Sequence, residues 1–287
     1  MTGLFPHLGH GLGLRTQHYA ALTAGAGDAG GAGDAGASGE IREIDWLEAI
    51  TENFLVAGGN PRRVLRAVRE RWPVALHGVS LSIGSVDPLD EDYLDRVPAL
   101  CGELEPAVVS DHLCWSSLGG HTVHDLWPMP YTAEALAHVA ARVAHVQDRL
   151  GRRILLENPS SYAAFAADEL GEAEFLAEVA ARADCGILLD VNNVHVSCRN
   201  HGWDPAAYLA AIPTERVGYL HLAGHRREDE LLIDTHDHPV CDEVWALYAE
   251  AVRRLGVTST CLERDDHVPP LPELAAELGR AREAARG

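Results

Sequence analysis

Nine side chains of metal-ligand type, His77, His112, Glu157, Asp190, Asn192, His221, Asp234, His236 and Glu263, stand at or just after the ends of short apolar runs along this chain. Imidazole and carboxylate without thiolate make a donor set for iron, manganese, zinc or cobalt, and argue against iron–sulfur clusters and Cu(I). Such a set would serve two or three ions with positions left open, as oxygen activation and hydrolysis by metal-bound water both require. Carboxylates gathered away from water repel one another and are costly to bury, and divalent cations remove both penalties. An inward salt-bridge network would also do so, but the run ends hold few cations. The sequence has 16 histidines, and a lone one is more often a surface or hydrogen-bonded residue, so the case for His77, His112, His221 and His236 rests on their company.

The runs that must position these groups are Leu12–Arg15, Ile44–Ile50, Val74–Ile83, Ala107–Trp115, Ile154–Glu157, Ile187–Val196, Val217–Leu222 and Ser259–Glu263. Helical patterns lie between them at 60–71, 132–150, 172–182, 205–212, 240–255 and 272–286. Thr132 opens the second with a near-capping signature and Gly151 closes it. Strand alternating with helix predicts a parallel sheet covered by helices. Eight runs favour closure into an α/β barrel of the (β/α)8 TIM type with the metal cluster at the C-terminal face of the strands. No G-x-G-x-x-G follows a strand, as an open dinucleotide-binding sheet would show, and Gly9–Gly13 reads as a lead-in to the first strand. Asp234 and His236 are two apart, so in an extended segment both face one way. Residues 24–40, nearly all Gly, Ala, Asp and Ser, cannot bury enough apolar area to order themselves and are expected to form a mobile loop within a single domain spanning 1–287.

The formal charge of −20 opposes a nucleic-acid or anionic-membrane partner and suits a neutral or basic peptide. The 6 cysteines are scattered without C-x-x-C spacing, so neither a disulfide framework nor a thiolate zinc site is expected. No stretch approaches the ~20 apolar residues of a membrane helix. Met1–Arg15 shows no leader pattern, and the expected location is the cytoplasm.

In order along the chain, the strings at 11–15 (GLGLR), 77–85 (HGVSLSIGS), 110–115 (SDHLCW), 155–162 (LLENPSSY), 189–194 (LDVNNV), 221–225 (HLAGH) and 233–237 (IDTHD) resemble the multinuclear non-heme iron-dependent oxidative enzymes, formerly a family of unknown function. The resemblance runs from about Pro6 to about Pro270. It implies a TIM-type barrel with two or three irons, mixed Fe(II)/Fe(III), using O2 as co-substrate to oxidise a residue, most often Cys, of a ribosomally made precursor peptide. In many members a small partner protein presents that peptide. Carried over, His77, His112 and Glu157 would hold one iron, with Glu157 able to bridge; Asp190, His221 and Glu263 a second; Asn192, Asp234 and His236 a third. His221 could exchange roles with His225, and Asn192 with Asn193. Three features depart from the pattern: Arg264 replaces a usual aromatic, His195 a usual Tyr, and the 24–40 segment is unusual. The rival readings are a zinc- or manganese-cluster hydrolase or isomerase acting on phosphodiesters or sugars, and a metal-binding recognition module without turnover.

Overall fold

The computed structural model describes residues 4–24 and 39–286; the segment expected to be a mobile loop lies over 25–38 outside the described residues. Eight parallel strands close into a barrel in chain order: β1 (His10–Gly13), β2 (Trp46–Ile50), β3 (Val74–His77), β4 (Val108–His112), β5 (Leu155–Glu157), β6 (Gly186–Asp190), β7 (Val217–Leu222) and β8 (Ser259–Leu262), with β8 pairing back onto β1. Helices fill the connections, including Asn60–Arg69, Ala133–Leu150, Glu172–Ala183, Asp242–Leu255 and Leu271–Ala284. This is the expected TIM-type barrel. Among the described residues no helix is long and apolar enough to cross a membrane.

The pleat sorts each strand into two faces. Leu12, Leu47, Leu76, Val109, Leu156, Leu189, Leu220 and Leu262 point outward into the large core shared with the helices. Trp46, Ala75, Val108, Leu155, Leu188, Tyr219 and Cys261, one from each of β2 to β8, point inward as a separate apolar layer, with Phe5 and Leu8 packed against it. On β1 the corresponding place belongs to Gly11, where an added Cβ would lie 2.5 Å from the Trp46 ring. Two residues further along β2 to β8 stand Glu48, His77, Ser110, Glu157, Asp190, His221 and Glu263, all buried. One step of the strand repeat thus separates a dry floor from a polar layer around the whole barrel.

Several elements differ from expectation. β1 covers His10–Gly13 rather than Leu12–Arg15, so the glycine-rich stretch is the strand itself. The runs 74–83 and 107–115 leave the sheet at His77 and His112. The run 187–196 is two elements, because Asp190 ends β6 and caps the helix Val191–His201, accepting from Asn193 N at 2.7 Å. A helix at Glu91–Leu104, capped by Asp90 and carrying Pro98 inside, adds to the expected set. Two hairpins, Trp115–Leu118 with His121–Trp127 and Arg226–Glu228 with Leu231–Ile233, rise from the loops after β4 and β7.

The contact between Gly11 and Trp46 yields a test. Gly11→Ala must push Trp46 out of the floor layer, an overpacking that costs about 1–3 kcal/mol or more. A urea denaturation midpoint unchanged from wild type would show that the floor has slack.

Candidate metal centre

Glu157, at the end of β5, is the hub of the polar layer. Its Oε2 lies 3.1 Å from His77 Nε2 and 3.3 Å from His112 Nε2, and its Oε1 lies 3.4 Å from His221 Nδ1. His221 Nδ1 is also 3.2 Å from Glu263 Oε2 and 3.8 Å from Asp190 Oδ2. Asp190 Oδ2 is 3.9 Å from His236 Nε2, which is 2.7 Å from Asp234 Oδ1, while His236 Nδ1 is 3.3 Å from Glu263 Oε2. Ligand atoms therefore gather in three adjoining N/O groups, His77–His112–Glu157, Glu157–Asp190–His221 and Asp190–His236–Glu263, each within 4.8 Å, and a fourth group, Glu48–His221–Cys261, lies beneath them. Glu157 and Asp190 are each shared by two groups, which is the arrangement of bridging carboxylates.

Hydrogen bonds behind His112, His77 and His221 turn one nitrogen of each imidazole toward the centre. His112 Nδ1 donates to Gly78 O at 3.1 Å, leaving Nε2 toward Glu157. His77 Nδ1 meets Ser110 Oγ at 2.9 Å, and Ser110 Oγ meets Tyr219 OH at 2.9 Å. Tyr219 OH donates to Glu48 Oε2 at 2.5 Å, and His221 Nε2 donates to the same oxygen at 3.0 Å. One buried chain, His77–Ser110–Tyr219–Glu48–His221, thus supports two ligands from below and turns His221 so that Nδ1 faces the centre. Glu157 and Asp190 are set by their neighbours: Asn158 and Asp190 exchange backbone–amide bonds at 2.9 and 3.0 Å, and Asn193 Nδ2 donates to Asn158 O at 3.0 Å.

Burial makes the charges expensive. Glu157 Oε2, Asp190 Oδ2, His221 Nδ1 and His236 Nε2 are buried and converge on the centre, with charged neighbours in reach but no well-aligned hydrogen bond. Orphaned buried acceptors and nitrogens on facing groups are what divalent cations satisfy, and the all-N/O donor set of the three groups fits iron, manganese, zinc or cobalt. Burial pushes the Glu157 carboxyl up, but His112, His221 and His77 outweigh it and hold it well below the usual range. Burial pushes His77 down, and Glu157 beside it pulls it up to about 9. For His221, burial is outweighed by Glu48, Glu263 and Glu157, which lift it well above its ordinary value. Protons on imidazole stand in for cations. One permanent cation is also present: Arg15 reaches Glu263 Oε1 at 3.0 Å, Arg264 O at 2.9 Å and Asp265. Gly13 lets it fold back, since a Cβ there would lie 3.1 Å from the guanidinium carbon.

Above the centre a cavity of about 750 Å³ opens between the two hairpins. His77, His112, Glu157, His236 and Glu263 reach its lower part, and Val79, Val123, Leu126, Trp127, Tyr162 and Ile233 are among its walls.

Seven of the nine expected ligands, His77, His112, Glu157, Asp190, His221, His236 and Glu263, fall in the three groups. Asp234 adjoins through His236, although the segment is a turn and not extended, His236 having a φ of 48°. Asn192 stands at the edge, its Nδ2 donating to Asp234 Oδ1 and its Oδ1 accepting from His225 Nδ1, both at 2.8 Å. Of the residues that could exchange roles, His221 lies in the centre and His225 outside it, while Asn193 faces Glu157, Asn158 and Ser160. Arg264 turns away to Glu277 Oε2 at 3.0 Å, so it takes no part in the pocket. Glu48 lies in the middle of its run, where a rule based on run ends does not mark it; its even spacing from Trp46 is the signal that does.

A family model described as RiPP precursor modification enzyme MbnB/TglH/ChrH matches residues 9–286. A UPF0276 protein of Anaeromyxobacter sp. (strain Fw109-5) is 57% identical, over 96% of this chain and 92% of that one. One from Caulobacter vibrioides (strain NA1000 / CB15N) is 52% identical, over 97% and 95%. Among solved structures, D-psicose 3-epimerase from Clostridium cellulolyticum H10 has a TM-score of 0.60 at 11% identity, covering 97% of this chain and 98% of that one. Endonuclease IV from Thermus thermophilus has a TM-score of 0.59 at 15% identity, covering 98% and 99%. At these identities the two structures bear on the fold alone.

Two outcomes follow from the geometry. Ligation displaces the protons held by His77 and His221, so affinity for divalent metal should climb with pH toward about 9, by roughly tenfold per pH unit for each proton displaced. Chelator competition at several pH values measures this, and a flat profile would contradict protonated ligands. Glu48→Gln should weaken metal binding by about 10–100-fold, since the amide cannot hold both Tyr219 OH and His221 Nε2–H on one anionic oxygen.

Proposed function

The chain belongs to the RiPP precursor modification enzyme family of MbnB, TglH and ChrH, and from that membership we propose that it is a multinuclear non-heme iron, O2-dependent oxidase acting on a Cys of a ribosomally made precursor peptide. The observation that carries this reading is the convergence of four orphaned buried atoms, on Glu157, Asp190, His221 and His236, beneath a cavity wide enough for a peptide side chain and its neighbours. Iron bound there supplies the redox change and the open coordination positions for a thiolate and O2. In this reading His77, His112 and Glu157 hold one ion, Asp190, His221 and Glu263 a second, and Asp234 with His236 the third. Asn192 joins that third set only by turning Oδ1 away from His225.

The remaining tasks fall to protein groups. Glu157 and Asp190, each within reach of two groups, would help hold neighbouring ions. The apolar floor of Trp46, Leu155 and Leu188 keeps water from reaching the ligands from below. Arg15 holds Glu263 in place through Oε1, while burial's upward push is outweighed by His221 and His236, which keep its carboxyl well below the usual range. Trp127, stacked on Trp115 with centroids 5.8 Å apart, and the exposed Leu118 and Val123 of the same hairpin give the peptide, or a small protein presenting it, an apolar rim. The acidic surface favours a neutral or basic leader over an acidic one.

The test is elemental analysis of anaerobically purified protein with Mössbauer or EPR spectra, followed by reaction of the iron-loaded protein with peptides encoded beside its gene. Mixed-valence iron and an O2-dependent mass change at Cys are expected. Stoichiometric zinc that persists after iron-rich expression, with no oxygen uptake, would replace this reading by a cluster hydrolase or isomerase. Trp127→Ala should weaken peptide binding about tenfold with metal content unchanged, as read by isothermal titration; unaltered affinity would move the peptide to another face.

A further inference from the structure

Beside the inner centre, on the connections that follow β6 and β7, another set of ligand atoms converges. His195, His225 and Cys241 offer one atom each, and these lie within 4.8 Å of one another. All three residues are half-buried and come from different elements: the helix Val191–His201, the loop after β7, and the residue preceding the helix Asp242–Leu255. The two imidazole rings lie 5.1 Å apart at 30°. His225 Nδ1 meets Asn192 Oδ1 at 2.8 Å, and Asn192 Nδ2 donates to Asp234 Oδ1 at 2.8 Å. A carboxylate only accepts, so it sets the amide; an amide oxygen only accepts, so His225 carries its proton on Nδ1 and keeps a lone pair on Nε2. The loop holding His225 is braced, because a Cβ on Gly224 would come within 2.1 Å of His238 O.

We propose that His195, His225 and Cys241 form a second metal site, separate from the barrel centre, for a borderline divalent cation of the zinc class. Two imidazoles and a thiolate are a zinc donor set, and water can complete the four positions such an ion takes. On binding, the Cys241 S–H bond breaks, its proton leaves to solvent, and the thiolate and two neutral imidazoles donate lone pairs; no electron is transferred. His225 is then held through Nε2 with Nδ1–H on Asn192, the amide-backed imidazole common at metal sites. The outer cation thereby fixes Asn192 as a donor to Asp234, at the edge of the inner centre. This site rests on its own geometry and stands whatever metal the inner centre takes.

Cobalt separates the sites, because the three groups around Glu157 and Asp190 contain no thiolate, and the buried thiol beside them, Cys261 with Glu48 and His221, is kept in every variant. Metal-free protein titrated with Co2+ should develop a near-ultraviolet thiolate-to-cobalt band that saturates at one equivalent and is bleached by Zn2+. Cys241→Ser, which keeps a helix-capping side chain, and His195→Tyr should each lose the band and one equivalent of bound metal while retaining the inner equivalents. No band in the wild type, or a band and metal count that survive Cys241→Ser, would overturn the proposal. A surviving band would place the thiolate at Cys261, which lies beneath Glu48.

Discussion

Everything at the mouth of this barrel depends on the two-residue repeat of pleated strands held in register around a closed sheet. Glu48 sits two beyond Trp46, His77 two beyond Ala75, Glu157 two beyond Leu155, Asp190 two beyond Leu188, His221 two beyond Tyr219 and Glu263 two beyond Cys261. Closure leaves no edge along which one strand could slip without its neighbours. A slip of one residue on β5 would present Leu156 to the centre and Glu157 to the helices. The chemistry of the site is in this sense a property of the register.

The same stacking explains why the site needs cations. A layer of Trp46, Val108, Leu155 and Leu188 directly below the carboxylates excludes water, so the charges above it are poorly screened. Some of the charge is offset by fixed groups: Arg15 for Glu263, and Tyr219 with His221 for Glu48. What remains centres on Glu157, and His77, His221 and His236 answer it by taking up protons. Metal ions and protons therefore compete for the same lone pairs, with the floor of the barrel setting the strength of the competition.

Much of this was legible in the chain, and the failures have physical causes. Apolar runs ending in His, Asp or Glu mark the strand C-termini because in a closed barrel a strand stays apolar until it reaches the mouth. That rule finds His77, Glu157, Asp190 and Glu263 and overlooks Glu48, a carboxylate carried inside its strand and balanced by Tyr219 and His221 from a strand that sequence distance conceals. The run 187–196 hides a strand-to-helix change because Val191, Val194 and Val196 suit a buried helix as well as a strand; only Asp190, as a cap, marks the boundary. His236 reaches the centre through a left-handed turn rather than the extended segment that its spacing from Asp234 suggests. Hairpins at the mouth have no partner face in the barrel, so nothing in the strand–helix alternation announces them.

Asp190 carries a consequence of its own. One carboxylate oxygen, Oδ1, caps the helix Val191–His201 through Asn193 N, while the other, Oδ2, faces the centre. A single rotation about its side chain cannot improve one contact without spoiling the other. The helix start is thereby tied to the ionic state of the pocket: whatever anchors Oδ2 also tightens the first turn, which carries Asn192 and Asn193. Amide exchange in that turn would slow as the centre fills, making a stretch of backbone a built-in gauge of how fully the enzyme is loaded.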